Sequence, residues 1–343
     1  MQKLIRSRYL FVDTDKSMFQ IMKRTTGQCI SSHQDLIDLI NRFNKPVCPL
    51  KIQPDYDQDD FLSVIQRLKE LGILVSEDTA EEEDIIREWD EKIKNFSLLK
   101  NYDNNISFIF FGNDRGLARA ARFTELAAPI KKELDSQIFP FKRKIYTILL
   151  SNDDYLDIAA EYKLPARTMA FVDTKSVLVI NSQILSEQMP KAKTFYHSIK
   201  HELIHILLGQ RHFYIPPWIE EGICELYSGQ ENFRLIQFIL KKRKKTYKFT
   251  EAEPLITGSI MDINDSPANR NTAYAQAFSF VKYIIDTIGE KTFWSVIENT
   301  GINVNFKQVF SRITKRNIID MENEWEVLIN QESEQKNFNE TRV

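Results

Sequence analysis

The stretch SIKHELIHILLG, residues 198–209, sets His201 and His205 four residues apart, with Glu202 directly after the first, inside an otherwise apolar run. Residues four apart on an α-helix share a face, about one turn from each other, so both imidazoles can present a nitrogen to one metal ion. Glu202 is one residue off that face, close enough to hydrogen-bond a water beside the metal without ligating the metal. An HExxH helix supplies this set: two ligands and a general base for zinc-assisted hydrolysis. Ile199, Leu203, Ile204, Ile206, Leu207 and Leu208 predict that the helix is buried, and Gly209 is expected to end it. The competing reading is a core helix that contains two satisfied histidines.

A catalytic zinc takes three protein ligands and keeps one position open. The expected donor of the third is IPPWIEEGICELYSG, residues 215–229. Glu221 is the preferred ligand and Glu220 its competitor, because only Glu221 shares a helix face with Glu225, four residues on, which can orient a ligand histidine. Gly222 has no side chain and is expected to let this helix approach the histidine helix closely. Cys224 lies off the Glu221–Glu225 face and reads as a small buried apolar residue, neither ligand nor nucleophile. His197 precedes His201 by four residues and is expected at the helix start or behind the ligands. His212 reads as a solvated loop residue and KKRKK, residues 241–245, as a solvated helix end.

With these motifs the sequence resembles the gluzincin metallopeptidases, in particular the peptidase-MA-like proteins with HEL-x-H followed by P-x-W-I-x-E-G. The resemblance spans roughly residues 105–300, including TAYAQAFSFVKYII downstream. It implies a thermolysin-like domain with a small sheet and a mostly helical C-terminal half. It also implies zinc held by His201, His205 and Glu221, with Glu202 as the base that activates water and then protonates the leaving amine. Glu225 matches the acidic position four residues after the ligand glutamate. Tyr274 matches a tyrosine that donates to the tetrahedral oxyanion; packing against the core is its alternative role. Two departures stand out. Only fifteen residues separate His205 from Glu221, and no G-x-M-E-N segment is present, which favours an endopeptidase over an aminopeptidase. The strand pair around 168–181 is then the expected edge for an extended peptide.

Upstream, the fold class is α+β throughout. Residues 1–80 carry YLFVDTD and SMFQIMKRTTGQCI as short strands about a turn at residues 13–16. A helix over SHQDLIDLINRF follows, with Ser32 as its cap, then a helix over DDFLSVIQRLKELG that ends at Gly72, and a strand. This small winged-helix-like order is similar to the PqqD-like precursor recognition elements, which bind a leader peptide by strand addition. The similarity implies a maturation or leader peptidase. The acid-rich, then amphipathic run that follows reads as a linker or bridging helix over 81–103, and the peptidase domain as 104–335. Strands are expected at 106–112, 144–151, 167–173 and 176–182, a long helix over 116–138, and helices for nearly everything after the motif, NFRLIQFILKK among them.

Composition sets the remaining bounds. In 343 residues, 43% hydrophobic and 27% charged with a formal net charge of -2, nothing points to a nucleic-acid partner. Residues 1–80 hold 11 basic and 11 acidic side chains, against the basic excess of a DNA-binding winged helix. No apolar run is long enough to span a bilayer, and Asp13 and Asp15 interrupt any secretory signal. Three scattered cysteines, Cys29, Cys48 and Cys224, fit a reducing compartment, so the expected location is cytoplasmic. A regulatory or binding protein with a structural or silent zinc site is the alternative function. An intact Glu202 argues against it, since a structural site needs no base.

Overall fold

A computed structural model describes residues 4–6, 10–15, 18–23, 28–32, 34–43, 47–52, 57–76, 80–99, 108–112, 117–141, 143–162, 164, 168–173, 177–185, 193–211, 215–229, 248–249, 267–300 and 306–340. His33, His212, the 241–245 basic run and the helix expected over NFRLIQFILKK lie outside the described residues. The chain divides into two compact units, Met1–Arg211 and His212–Val343.

At the start of the first unit, β1 (Leu4–Arg6) pairs antiparallel with β5 (Leu74–Ser76), and β2 (Leu10–Asp15), β3 (Met18–Lys23) and β4 (Gln28–Ser32) form an antiparallel sheet in that order. Helices α1 (Gln34–Asn41) and α2 (Gln58–Glu70) follow. Ser32, expected as the cap of α1, is the last residue of β4 and stands opposite Phe19 in the sheet register. The end of α2 is sharply encoded. Gly72 takes φ 65°, its N–H reaches Lys69 O at 2.8 Å, and Ile73 N–H reaches Leu68 O at 2.9 Å. That double closure needs a left-handed residue, and glycine adopts one at the lowest steric cost.

The larger part of this unit is a five-stranded mixed sheet, ordered β6 (Ser97–Leu98), β7 (Phe108–Gly112), β8 (Ile145–Leu150), β10 (Val177–Asn181), β9 (Ala170–Asp173). β7, β8 and β10 run parallel, and β6 and β9 close the two edges antiparallel. Every residue of β7 and β8 is buried, as expected of parallel strands covered on both faces. One face, with Phe111, Tyr146, Ile148, Phe171 and Val179, packs on α3 (Ala80–Asp90) and α5 (Asn152–Glu161) through Ile85, Trp89, Tyr155 and Ile158. On the other face, Phe108 and Phe110 meet the edge of Phe123 from α4 (Leu117–Gln137). Helix α6 (Lys193–Arg211) packs on α4 and along β9 and β10. The segment expected as a linker or bridging helix thus supplies Ile85, Trp89 and Phe96 to the core and β6 to the sheet.

The second unit is helical: α7 (Pro217–Tyr227), α8 (Pro267–Ile288), α9 (Glu290–Glu298), α10 (Phe306–Thr314) and α11 (Ile318–Glu340). Its core is aromatic. Trp218 stacks on Phe249 at 5.4 Å and on Phe280 at 5.2 Å, with Phe306 edge-on, and Trp325 lies against Phe280. Among the described residues, no helix is long and apolar enough to cross a membrane.

Candidate metal centre

Helix α6 carries the histidines. It runs two residues past Gly209, because Gln210 and Arg211 continue the backbone pattern and nothing forces glycine there into a left-handed turn. Six apolar side chains, Ile199, Leu203, Ile204, Ile206, Leu207 and Leu208, are at most 1% exposed. Against that wall His201, Glu202 and His205 are only half-buried, so the one polar stretch of the mid-helix is also its accessible one.

The two imidazoles converge. Their Nε2 atoms lie 3.2 Å apart, with ring planes at 65°. Two zinc–nitrogen bonds of about 2.05 Å at a tetrahedral angle hold their nitrogens about 3.3 Å apart, so the pair matches the spacing of two zinc ligands. Glu202 makes itself felt at a distance: the Tyr155 phenol is held above its ordinary value, first by burial and second by the Glu202 charge. Tyr155 is 1% exposed and belongs to the sheet core.

Polar contacts hold α6 at both ends. Near its start, Lys200 Nζ donates to Glu133 Oε1 at 2.8 Å and to Gln137 Oε1 at 3.3 Å, while the Tyr196 hydroxyl donates to Glu133 Oε2 at 2.7 Å. Gln137 Nε2 also donates to Glu133, at 2.9 Å. Burial pushes the Glu133 carboxyl up, but these donors, Lys200 foremost, outweigh it and hold the group below its ordinary value. Tyr196 is pushed up to about 12, by burial and then by its bond to Glu133. Near the end of α6, the buried Gln210 amide pairs with the backbone of Arg143, accepting from its N–H at 3.0 Å and donating to its carbonyl at 3.1 Å. None of these anchors is among the expected site residues. The available signal was Lys200, a charge placed directly after Ile199 and away from the His201–His205 face.

In the second unit, α7 carries Glu220, Glu221, Cys224 and Glu225. Glu220 is 5% exposed and Cys224 fully buried, whereas Glu221 and Glu225 are half-buried on their shared face. Pro216 and Pro217 open the helix, where a missing N–H costs nothing. At Gly222 α8 comes very near α7: a Cβ there would stand 2.5 Å from the Ala277 carbonyl oxygen and 2.5 Å from Val281 Cγ2. The sequence reading assigned this glycine to the approach of the histidine helix; within its own unit it admits α8. Tyr274 lies on α8, half-buried, one turn before Ala277.

No family model matches the chain, and no curated protein matches it significantly. Solved structures with partial likeness include mutants of a two-domain M1 zinc metallopeptidase bound to L-arginine and to L-tryptophan, and a mutant M1 zinc metallopeptidase from Deinococcus radiodurans. Each is 10% identical, with TM-scores of 0.37, 0.39 and 0.38, and each alignment covers 67% of this chain and 50% of the other. The chain thus spans half the length of those proteins, and a likeness at this level carries no argument about activity.

Proposed function

We propose that the protein is a zinc-dependent endopeptidase of the gluzincin type. The observation that carries the reading is the convergence of His201 and His205 Nε2 at 3.2 Å on a half-buried stretch that also holds Glu202. His201, His205 and Glu221 would hold the zinc, with Glu225 orienting a ligand histidine. Bound there, zinc would act as a Lewis acid toward the scissile carbonyl and acidify water. The chain's own residues do the rest. Glu202 takes the proton from the attacking water and hands it to the departing amine, and Tyr274 donates a hydrogen bond to the developing oxyanion. The antiparallel edge strand β9 offers main-chain groups to an extended peptide.

The substrate in this reading is a peptide or protein, with residues 1–80 as a winged-helix-like, PqqD-like recognition domain for a precursor or leader, 81–103 as a bridge and 104–335 as the peptidase. The three-stranded sheet and the two helices of the N-terminal segment are compatible with strand addition of a leader. A cytoplasmic location and the absence of a nucleic-acid partner belong to the same reading.

Replacing Glu202 by Gln tests it. The expected outcome is a folded protein that keeps stoichiometric zinc and loses hydrolysis of a peptide library by about three orders of magnitude or more. Undiminished turnover would remove Glu202 as the base. Zinc without turnover in the wild type would favour the regulatory protein with a silent site.

A further inference from the structure

Apolar burial alone sets the rotation of α6 only broadly. Ile199, Leu203, Ile204, Ile206, Leu207 and Leu208 span an arc of about 200° around the helix, and all are at most 1% exposed. His201, Glu202 and His205 fill the half-buried remainder, and because hydrophobic burial has no direction, the fine rotation and axial position of the helix are left to directional contacts. A turn by one residue moves each side chain by about 100°, enough to carry both imidazoles off their common point.

The directional contacts are the polar ones. Tyr196 and Lys200, four apart, form a stripe about 100° from the His201–His205 stripe, and both end on the Glu133 carboxylate of α4. Lys200 is 5% exposed, so its ammonium depends on Glu133 and Gln137 for compensation. At the other end, Gln210 reproduces a ladder pair with the backbone of Arg143 as the chain enters β8. Two clasps, one on each side of the histidines, fix both rotation and axial position.

We infer that Glu133, Lys200, Tyr196 and Gln210 are positioning residues for the metal centre: their clasps set the register of α6, and with it the point at which His201 and His205 converge. Buried polar pairs that specify register at some cost in stability are a known use of such groups. The inference rests on the metal reading above, and its test separates the two.

The full-length wild type, Lys200→Met, Glu133→Gln, Gln210→Leu and Tyr196→Phe are titrated with cobalt(II) and with zinc against a chelator, at a temperature where circular dichroism finds each folded. The expected result is zinc affinity about tenfold weaker in the first three variants, with a cobalt visible band reduced or shifted. Tyr196→Phe, which keeps the Lys200 pair and is the variant surest to fold, shifts both readouts the same way by less. Variants that lose thermal stability while keeping the wild-type cobalt spectrum and zinc affinity would overturn the inference and leave the clasps as stability features only. A folded wild type that takes up neither metal would overturn the metal reading itself, and the inference with it.

Discussion

Helices α6 and α7 carry the candidate ligands of this protein, and each is keyed to its own unit by a different physical device. α6 is seated by hydrogen bonds, from Lys200 and Tyr196 to Glu133 and from Gln210 to Arg143. α7 is seated by shape: the bare Cα of Gly222 lets the backbone of α8 come so close that a methyl group would sit 2.5 Å from the Ala277 carbonyl. Both devices constrain the rotation of a helix that carries candidate ligands. Hydrogen bonds yield by degrees as partners are removed, whereas close packing against backbone fails abruptly, because the backbone cannot turn aside.

The comparison breaks most visibly at Gly222. In an ordinary helix interior, Gly→Ala stabilises by about 1 kcal/mol. Here Gly222→Ala is expected to destabilise by about 3 kcal/mol, since the new Cβ meets both a carbonyl oxygen and Val281. Chemical denaturation checks the sign; a stabilised variant would show that α7 is free to shift. Glu133→Gln comes next. It leaves the buried Lys200 without its counter-charge and should cost about 2 kcal/mol by the same measurement.

The smallest effect is the dependence on pH. Tyr196 is raised to about 12, so its contribution is complete below the ordinary phenol value of about 10 and is lost as pH rises from there through about 12. Glu133 is lowered, so its contribution is complete above the ordinary carboxylate value and is lost as pH falls through its folded value. The stability difference between wild type and Tyr196→Phe should therefore narrow in alkali, while no such narrowing would mean that the hydroxyl contributes nothing.

What the sequence made legible was local. The period of the HELIH run, the proline start of α7 and the glycine stop after α2 all depend on neighbours within a few residues, and each appears where expected. Strands β7 and β8 were legible as short apolar runs bounded by polar ones. Their order in the sheet was not, because parallel neighbours are joined through intervening helices and nothing in either strand names its partner. Helix α3 was legible as an amphipathic bridging stretch, but its acidic start gave no sign of how far it enters the core, where Ile85 and Trp89, four apart, form a buried stripe. The clasps were the least legible feature, since Glu133 and Lys200 are 67 residues apart and meet only once α4 and α6 lie on the same face of the sheet. Among the site residues, the convergence of His201 and His205 and the shared face of Glu221 and Glu225 follow from helix period, while the role of Tyr274 rests on the resemblance.

The measurement that bears most directly on the central claim is bound zinc by elemental analysis of the purified wild type and Glu221→Gln, with cleavage of a peptide library followed in parallel. The account predicts about one zinc per chain and peptide cleavage in the wild type, and loss of both in the variant. A folded wild type without zinc or cleavage would contradict it and return His201 and His205 to the core of an ordinary buried helix.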